Sequence, residues 1–352
     1  MITRSAERDA LLLWLGSRVG LLVATLLGVS LQDYLGKWRA WDAGLFVVIA
    51  EHGYDGVPGR PPDAGLPAFF PGLPMALRLV YLVVPDWALA GLLISLVAGA
   101  VATIFLARLA VFEGGTGWVA VLALLLFPTA VFLAAGYSES LFLAFAVPAW
   151  LAARQRRWPV AAVLAAGASC VRITGLFLAL ALWVEFAASR PALRQAPWLA
   201  VPLLPLAGYS YFHYARSGDW FAWKHAQEAG WGREMVWPWE SFGKTWDAAM
   251  GGDEFAVAFR MEIAGVAVAV LGLVWLLVLR RWSEVVYCGL QAGALMTSAY
   301  YLSIPRSLLL WFPLWVAIAR LRHRWVIAAY AMVSGPLMVL NTVRFLTGAW
   351  AG

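Results

Sequence analysis

Residues 41–54 read WDAGLFVVIAEHGY and follow the first long apolar run of the chain. They bring Asp42, Glu51 and His52 next to segments that are otherwise almost entirely apolar, and a second unusual stretch, AFFPG, follows at 68–72. Acidic side chains beside membrane-like segments suggest chemistry on a substrate that is itself partly lipid. This stretch therefore predicts a functional loop at the surface of a membrane protein.

Composition predicts an all-α integral membrane protein. Of the 352 residues, 62% are hydrophobic and 13% are charged, and the mean hydropathy is +0.75. Soluble domains are about half apolar and about a quarter charged. Each crossing takes about 20 apolar residues, which leaves room for roughly ten or eleven transmembrane helices. The net charge of +6 fits the enrichment of Arg and Lys in cytoplasmic loops, and no basic hydrophilic domain points to a nucleic acid partner.

Two features near the apolar runs are expected to be structural. Cys170 and Cys288 lie inside apolar segments, without the spacing of a zinc site or of a disulfide framework, and are expected to be small buried side chains. The run at 11–30 carries Arg18 in its middle and is followed by no small-residue cleavage pattern. We therefore expect a retained first helix rather than a signal peptide.

The arginines between apolar runs predict the topology of a single polytopic domain, residues 1–352. The runs lie at 11–30, 87–109, 117–135, 139–153, 158–171, 174–188, 197–214, 258–279, 284–302, 307–319 and 325–346. Arginines follow alternate runs, near 108, 154–157, 190–194, 280–281 and 320–324. All of these lie in the cytoplasm if the chain starts there and 69–85 does not cross. That segment is short and contains two prolines and Arg78, so we predict an interfacial or re-entrant helix.

Two large loops then face the extracytoplasmic side, 31–86 and 215–257. The second contains six tryptophans together with His225, Gln227 and Arg233. Tryptophan often anchors a protein in the headgroup region, but this density exceeds what anchoring requires. Aromatic faces also stack on sugar rings and cations, so the loop is a candidate for substrate binding.

The two carboxylates of the opening stretch are not expected to share one site. If 41–50 is helical, Asp42 and Phe46 lie on one face, whereas Glu51 points about 180° away. One carboxylate is then a candidate for catalysis and the other for structure. Asp is also a favoured helix N-cap, so capping remains an alternative role for Asp42.

Further charged residues lie at short outer tips. Ser138 is a fair N-cap for the helix that starts near Glu139, which is itself a functional candidate at the edge of a cavity. Arg172, between two short apolar runs, and Arg306, after SIP at 303–305, either extend to the interface or bind a lipid phosphate. The sequence lacks HExxH, Walker and DxD patterns, so an activated substrate must arrive already energised, as a lipid-phosphate sugar does.

Several motifs resemble the PIG-V family, which contains the second mannosyltransferase of GPI-anchor synthesis and its bacterial homologues. The opening stretch and AFFPG carry the closest similarity, and YSESLF at 137–142 is similar to the family's Y-[ST]-E-S-L-F. RITG at 172–175 is similar to its R-x-[TN]-G, with Ile173 where bacterial members often have proline. HAQ at 225–227, WGR at 231–233 and IPR at 304–306 resemble motifs of bacterial members.

The resemblance implies a GT-C glycosyltransferase that moves mannose from a polyprenyl- or dolichyl-phosphate-mannose donor to a glycolipid or glycan acceptor. It implies inversion at the anomeric carbon, no cofactor and no metal. Asp42 is the expected catalytic base. The expected substrate-binding residues are Glu139, Arg172, His225, Gln227, Trp231, Arg233 and Arg306. Supporting residues around the site are expected to be Trp41, Glu51, His52, Tyr54 and Tyr137.

Two other classes of function stay open from the sequence. A lipid or sugar transporter should show inverted repeats and polar groups at mid-membrane, which this chain lacks. A non-catalytic assembly factor of the same fold is disfavoured by the intact Asp42 and Glu139. Arginine-rich, alanine-rich composition suggests a bacterial plasma membrane, or the endoplasmic reticulum membrane in a eukaryote, with the site on the extracytoplasmic side and membrane lipids as surroundings.

Overall fold

The computed structural model describes residues 2–61, 63–252, 255–321 and 323–352 and shows an all-helical protein over these ranges. The α-helices are α1 (Ile2–Gly28), α2 (Tyr34–Lys37), α3 (Asp42–His52), α4 (Gly72–Tyr81), α5 (Trp87–Phe112), α6 (Gly117–Leu125), α7 (Ser138–Arg154), α8 (Trp158–Val171), α9 (Thr174–Ser189), α10 (Leu204–Ser217), α11 (Ala222–Trp231), α12 (Pro238–Met250), α13 (Ala256–Val278), α14 (Trp282–Met296), α15 (Ile304–Leu308), α16 (Phe312–Ala319) and α17 (Arg324–Leu346).

Four helices within the described ranges are long and apolar enough to cross a membrane. They are Ser5–Gly28 of α1, Trp87–Phe112, Ala256–Val278 and Arg324–Leu346. Two shorter apolar helices, α8 and α9, have 14 and 16 residues. By length and composition, these apolar helices fit a multi-pass membrane protein.

Several predicted runs are broken where proline occurs. The run at 117–135 divides into α6 and the 3₁₀-helix Ala130–Leu133, with Pro128 between them. The run at 197–214 begins as the 3₁₀-helix Leu193–Leu203, which contains Pro197 and Pro202. Proline has no N–H to donate and its ring clashes with the preceding turn, so a continuous α-helix is unfavourable at these positions. Hydropathy alone did not show these breaks.

The segment at 69–85 forms only the ten-residue helix α4. Leu73 and Leu77 are buried, whereas Met75 and Leu79 on the opposite face are exposed. At 1.5 Å per residue the helix is about 15 Å long, which is half of the hydrocarbon core. It is therefore too short to cross a membrane alone.

An ionic cluster joins four helices at the end of the molecule away from α3. Arg154 lies 2.9 Å from Glu113 and 3.0 Å from Glu185, and Arg281 bridges Glu113 and Glu284. These contacts connect the C-terminal ends of α5 and α7 to α9 and to the start of α14. The cluster fixes the helices at one end, while the opposite end contains the cavity described next.

Candidate active site

A cavity of about 460 Å³ lies among the predicted functional segments. Its wall includes Asp42 of α3, the start of α7, the junction of α8 and α9, and α11. Helix α14, helix α15 and Trp350 close the remaining sides. The cavity thus joins segments that are separated by up to three hundred residues along the chain.

Four charged side chains form one chain of ion pairs at this cavity. Arg306 donates from one terminal nitrogen to Asp42 and from Nε to Glu139, at 2.5 Å in the second case. Arg172 donates to Glu139 at 2.7 Å and to the Ser138 hydroxyl at 2.6 Å. The order Asp42–Arg306–Glu139–Arg172 balances two negative charges with two positive ones. Charge-assisted hydrogen bonds of this kind are strong and orient their partners.

Asp42 is the first residue of α3, and Trp41, not Asp42, occupies the N-cap position. The Asp42 carboxylate turns towards Arg306, and its side chain is 21% exposed to the cavity. The capping alternative is therefore wrong for this residue. Trp41 has φ +56°, a conformation that costs free energy for a residue with a side chain, and such strain is found most often at functional sites.

Glu139 is fully buried at the start of α7 and does not line the cavity. Ser138 was expected to be the N-cap. It instead accepts a hydrogen bond from Arg172, and Tyr137 occupies the N-cap position. The carboxylate of Glu139 lies behind the two arginines and holds them, whereas the prediction had it contacting substrate hydroxyls. The substrate-binding role of Glu139 stays a prediction.

The start of α7 reaches this position because two glycines meet. A side-chain carbon on Gly91 of α5 would lie 2.9 Å from Gly136, so only glycine permits the approach. Tyr137 follows, buried, with its hydroxyl donating to the Ala40 carbonyl at 3.1 Å. The Arg306 guanidinium lies 4.5 Å from the centre of the Tyr137 ring, which adds a cation–π contact.

Arg306 belongs to the short helix α15, which a buried carboxylate from α13 holds. Glu262 accepts the backbone N–H groups of Ser303 and Ile304 at 2.7 and 2.8 Å. Ser303 has φ +65°, so these bonds stabilise a turn that its own backbone disfavours. Arg306 was expected at an outer tip, but it is only 7% exposed and lines the cavity.

Arg233 differs from the other two arginines because no carboxylate pairs with it in the described part of the chain. One terminal nitrogen donates to the Leu302 carbonyl at 3.3 Å, and the buried Nε has no hydrogen-bond partner there. Burial lowers the pKa of its guanidinium, against the opposing effect of the nearby Asp42. Arg233 is thus a cation at the cavity wall that is ready to pair with an anion.

Helix α11 presents some of the predicted binding residues to the cavity and turns others away. Gln227, Trp231 and Lys224 line it. His225 does not; its Nδ1 pairs with Asp219 at 2.7 Å, and it is exposed. The expectation that His225 contacts the substrate has no support from this arrangement and stays untested.

None of the five expected supporting residues, all of which lie in the described part of the chain, lines the cavity. Glu51 lies 3.8 Å from His52 at the far end of α3, away from Asp42, in agreement with the helical spacing. Tyr54 donates to the Phe69 carbonyl at 2.8 Å and packs on Tyr209, which links the opening stretch to the AFFPG segment. These contacts shape the loop without reaching the ion pairs.

The tryptophans of 215–257 separate into two groups. Trp223 and Trp231 line the cavity, whereas the others do not. Trp220 stacks on Tyr214 with ring centres 4.5 Å apart, and Trp237 stacks on Trp239. Trp223 and Trp231 are therefore the tryptophans of this loop that are placed at the cavity, and substrate binding by the loop stays a prediction.

Sequence reasoning missed three residues at the site. Trp350 lines the cavity, contacts Trp41 edge to face at 5.4 Å and receives an Arg344 hydrogen bond on its carbonyl at 3.2 Å. Gln291 of α14 is 1% exposed at the cavity wall. Glu262 fixes the turn before Arg306. A carboxylate inside a transmembrane segment was the available signal for Glu262.

The chemistry of the cavity follows from this set of side chains. Within the described residues no group of three or more His, Cys, Asp or Glu side chains is arranged to hold a metal ion. Two carboxylates, Asp42 and Glu234, line the cavity together with three guanidinium groups and several aromatic rings, and of the two only Asp42 takes part in the ion-pair chain. Such a site can take a proton, neutralise a phosphate and stack on a ring.

Comparison with known proteins supplies the family. A family model described as mannosyltransferase (PIG-V) matches residues 20–186, a range that contains Asp42, Glu139 and Arg172. No curated protein and no solved structure matches the chain. The matched range covers the carboxylates of the ion-pair chain and the arginine at the junction of α8 and α9. The match over residues 20–186 supports a PIG-V-like mannosyltransferase family for this chain and, with it, a glycosyltransferase activity.

Proposed function

We propose that this protein is an inverting GT-C mannosyltransferase that uses a polyprenyl- or dolichyl-phosphate-mannose donor. The observation that carries the proposal is a cavity-lining carboxylate, Asp42, which is paired with Arg306 in a cavity that Arg172 and Arg233 also line, so that arginines are placed to neutralise a leaving phosphate. The acceptor is a hydroxyl of a glycolipid or glycan. The reaction takes place on the extracytoplasmic side and needs no cofactor or metal.

The proposed reaction is a single displacement. The acceptor oxygen attacks the anomeric carbon, the bond from that carbon to the phosphate oxygen breaks, and the hydroxyl proton passes to Asp42. The lipid phosphate leaves with the electron pair of the broken bond. A base next to the acceptor accelerates such a step by about 10²–10⁴-fold.

Arg233 is the arginine that we assign to the donor phosphate. Arg306 and Arg172 are already engaged by Asp42 and Glu139, whereas Arg233 has no carboxylate partner in the described chain. Its guanidinium can bind two phosphate oxygens at once. Arg306, which contacts Asp42, then orients the base and adds positive charge as the phosphate leaves.

Aromatic side chains supply the rest of the proposed binding surface. Trp231 contacts Phe69 edge to face at 5.4 Å, and both line the cavity beside Gln227. A flat ring of this kind stacks on the apolar face of a sugar, and an amide binds its hydroxyl groups. Phe177 and Leu295, which also line the cavity, offer apolar surface to the first isoprene units of the donor.

The proposed fold is that of GT-C enzymes, with about eleven crossings and the loops 31–86 and 215–257 on the extracytoplasmic side. Helices as short as α15 and α16 cross the membrane only as pairs, two helices forming one broken transmembrane segment. Such a break is acceptable where the backbone lines a cavity. The arginines at 154–157 and 280–281 support a cytoplasmic position for the opposite end. The bacterial plasma membrane is the proposed location.

The proposal is tested by transfer of radiolabelled mannose from polyprenyl-phosphate-mannose into a lipid and glycan extract. The purified protein in vesicles should label a product, with the anomeric configuration inverted relative to the donor. A transporter of the same fold would move the donor across the vesicle without labelling a product. An assembly factor would do neither, and either result would overturn the proposal.

A further inference from the structure

Helix α12, Pro238–Met250, has three distinct faces. Ser241, Thr245 and Ala249 recur every four residues and are fully buried against the protein. A second face is exposed and apolar. It consists of Trp239, Phe242, Trp246 and Met250, which are 43–66% exposed. At about 100° per residue, the centre of this face lies roughly 110° from the centre of the buried one.

The third face of α12 is charged. Glu240, Lys244 and Asp247 are exposed and lie roughly 120° from both other faces. A helix in water needs only two kinds of face, one packed and one polar. A helix between protein, lipid and water needs three, and α12 has them in the arrangement that this position requires.

The neighbours of α12 favour lipid as the occupant of the apolar face. The helix packs on α13, which starts at Ala256 and is one of the candidate spans. Phe255 and Val257, at the start of that span, are exposed apolar side chains, like those of the apolar face of α12. Tryptophan is the side chain enriched at the boundary between hydrocarbon and headgroups.

The N-terminal end of α12 adjoins the cavity mouth. Trp237, the residue before the helix, stacks on Trp239 with ring centres 5.0 Å apart. Just before it, Val236 donates its N–H to Thr297, and Arg233 and Met235 line the cavity. The depth of α12 in a membrane therefore determines the depth of Arg233, through four residues of intervening chain.

We propose that the aromatic face of α12 inserts into the headgroup boundary of the membrane and places Arg233 at the level of the lipid phosphates. A phosphate that is bound to an isoprenoid chain lies at this boundary. The guanidinium then meets its anion without withdrawing the lipid from the membrane. The insertion itself follows from the three faces; the role of Arg233 rests on the proposed function.

The insertion is tested with nitroxide labels on the two exposed faces of one helix. In cysteine-free protein, Trp239→Cys and Trp246→Cys report on the aromatic face, and Lys244→Cys and Asp247→Cys are the matched controls. In phosphatidylethanolamine–phosphatidylglycerol vesicles, collisions with oxygen should exceed those with a water-soluble nickel complex at 239 and 246. The order should reverse at 244 and 247. Equal collision ratios on both faces would overturn the proposal.

A second measurement separates insertion from catalysis. Phe242→Ser with Trp246→Ser should lower transfer from a long-chain donor embedded in vesicles about tenfold, because apolar surface no longer holds the helix at the boundary. Transfer from a short-chain, water-soluble donor should stay at the wild-type rate. Equal losses with both donors would contradict the depth-setting role. A wild-type protein whose aromatic face is inserted but that transfers no sugar would refute the proposed function alone.

Discussion

Replacing Glu139 by glutamine is the substitution whose effects follow most directly from the geometry. The side chain keeps its volume but loses the charge that binds both Arg172 and Arg306. Glu139 is 0% exposed, so water cannot take over its role. Removing one partner of a buried ion pair costs about 3–5 kcal/mol. Because the amide oxygen still accepts one hydrogen bond, the expected loss in the free energy of unfolding is about 3 kcal/mol, or roughly a hundredfold in the folding equilibrium.

A second glutamate provides a matched control for this substitution. Glu185 is also buried and paired with an arginine, Arg154, but it lies in the ionic cluster at the end away from the cavity. Glutamine there should destabilise the protein to a similar degree without misplacing Arg306.

The assay combines unfolding with transfer. The free energy of unfolding is measured by SDS titration in mixed micelles through tryptophan fluorescence, and mannose transfer is measured per folded molecule. Both variants should lose stability, but only Glu139→Gln should also lose transfer in its folded fraction. A folded Glu139→Gln protein with the wild-type transfer rate would refute the view that this carboxylate positions the arginines.

Three further predictions concern the phosphate site, acidity and topology. Arg233→Lys should raise the donor KM by roughly 10–100-fold, because a charged hydrogen bond contributes about 1.5–3 kcal/mol, whereas Arg216→Lys at an exposed ion pair should leave KM unchanged. The hydrogen bond from His225 lowers the pKa of Asp219, whose carboxylate also accepts the Phe221 N–H. The ionised Asp219 therefore stabilises α11, and this stabilisation is fully present above the ordinary Asp pKa. That stabilisation is lost as the pH falls through the lowered pKa, so the protection factor of the Phe221 amide, which corrects for the intrinsic pH dependence of exchange, should then fall; a constant protection factor would contradict this. A cysteine at Arg156 should be protected from an impermeant thiol reagent added outside, and labelling there would invert the proposed topology.

The sequence was sufficient to predict an all-helical protein with long apolar helices. Hydropathy predicted helices at every long apolar run, and helical spacing separated Asp42 from Glu51. The breaks at Pro128 and Pro202 were not predicted, because hydropathy averages over a proline that removes one N–H. In such runs, the residues at which helices begin and end depend on which backbone groups line a cavity.

The partners of the charged residues could not be read from the sequence. Asp42 and Arg306 are separated by more than 260 positions, and no local pattern indicates that they form an ion pair. Glu139 was placed at a cavity edge because a carboxylate at the edge of a membrane is a functional candidate. The close approach of Gly91 and Gly136 moves that turn inward, and the two arginines then make burial of the carboxylate favourable.

Single-turnover mannose transfer by Asp42→Asn, compared with Glu51→Gln, tests most directly whether Asp42 is the base. Asparagine keeps the size of the side chain and still accepts a hydrogen bond from Arg306, but it cannot take a proton. The rate constant should fall by about 10²–10⁴-fold with little change in donor affinity, whereas Glu51→Gln should transfer at the wild-type rate. Equal rate constants for the two variants would contradict the assignment of Asp42 as the catalytic base.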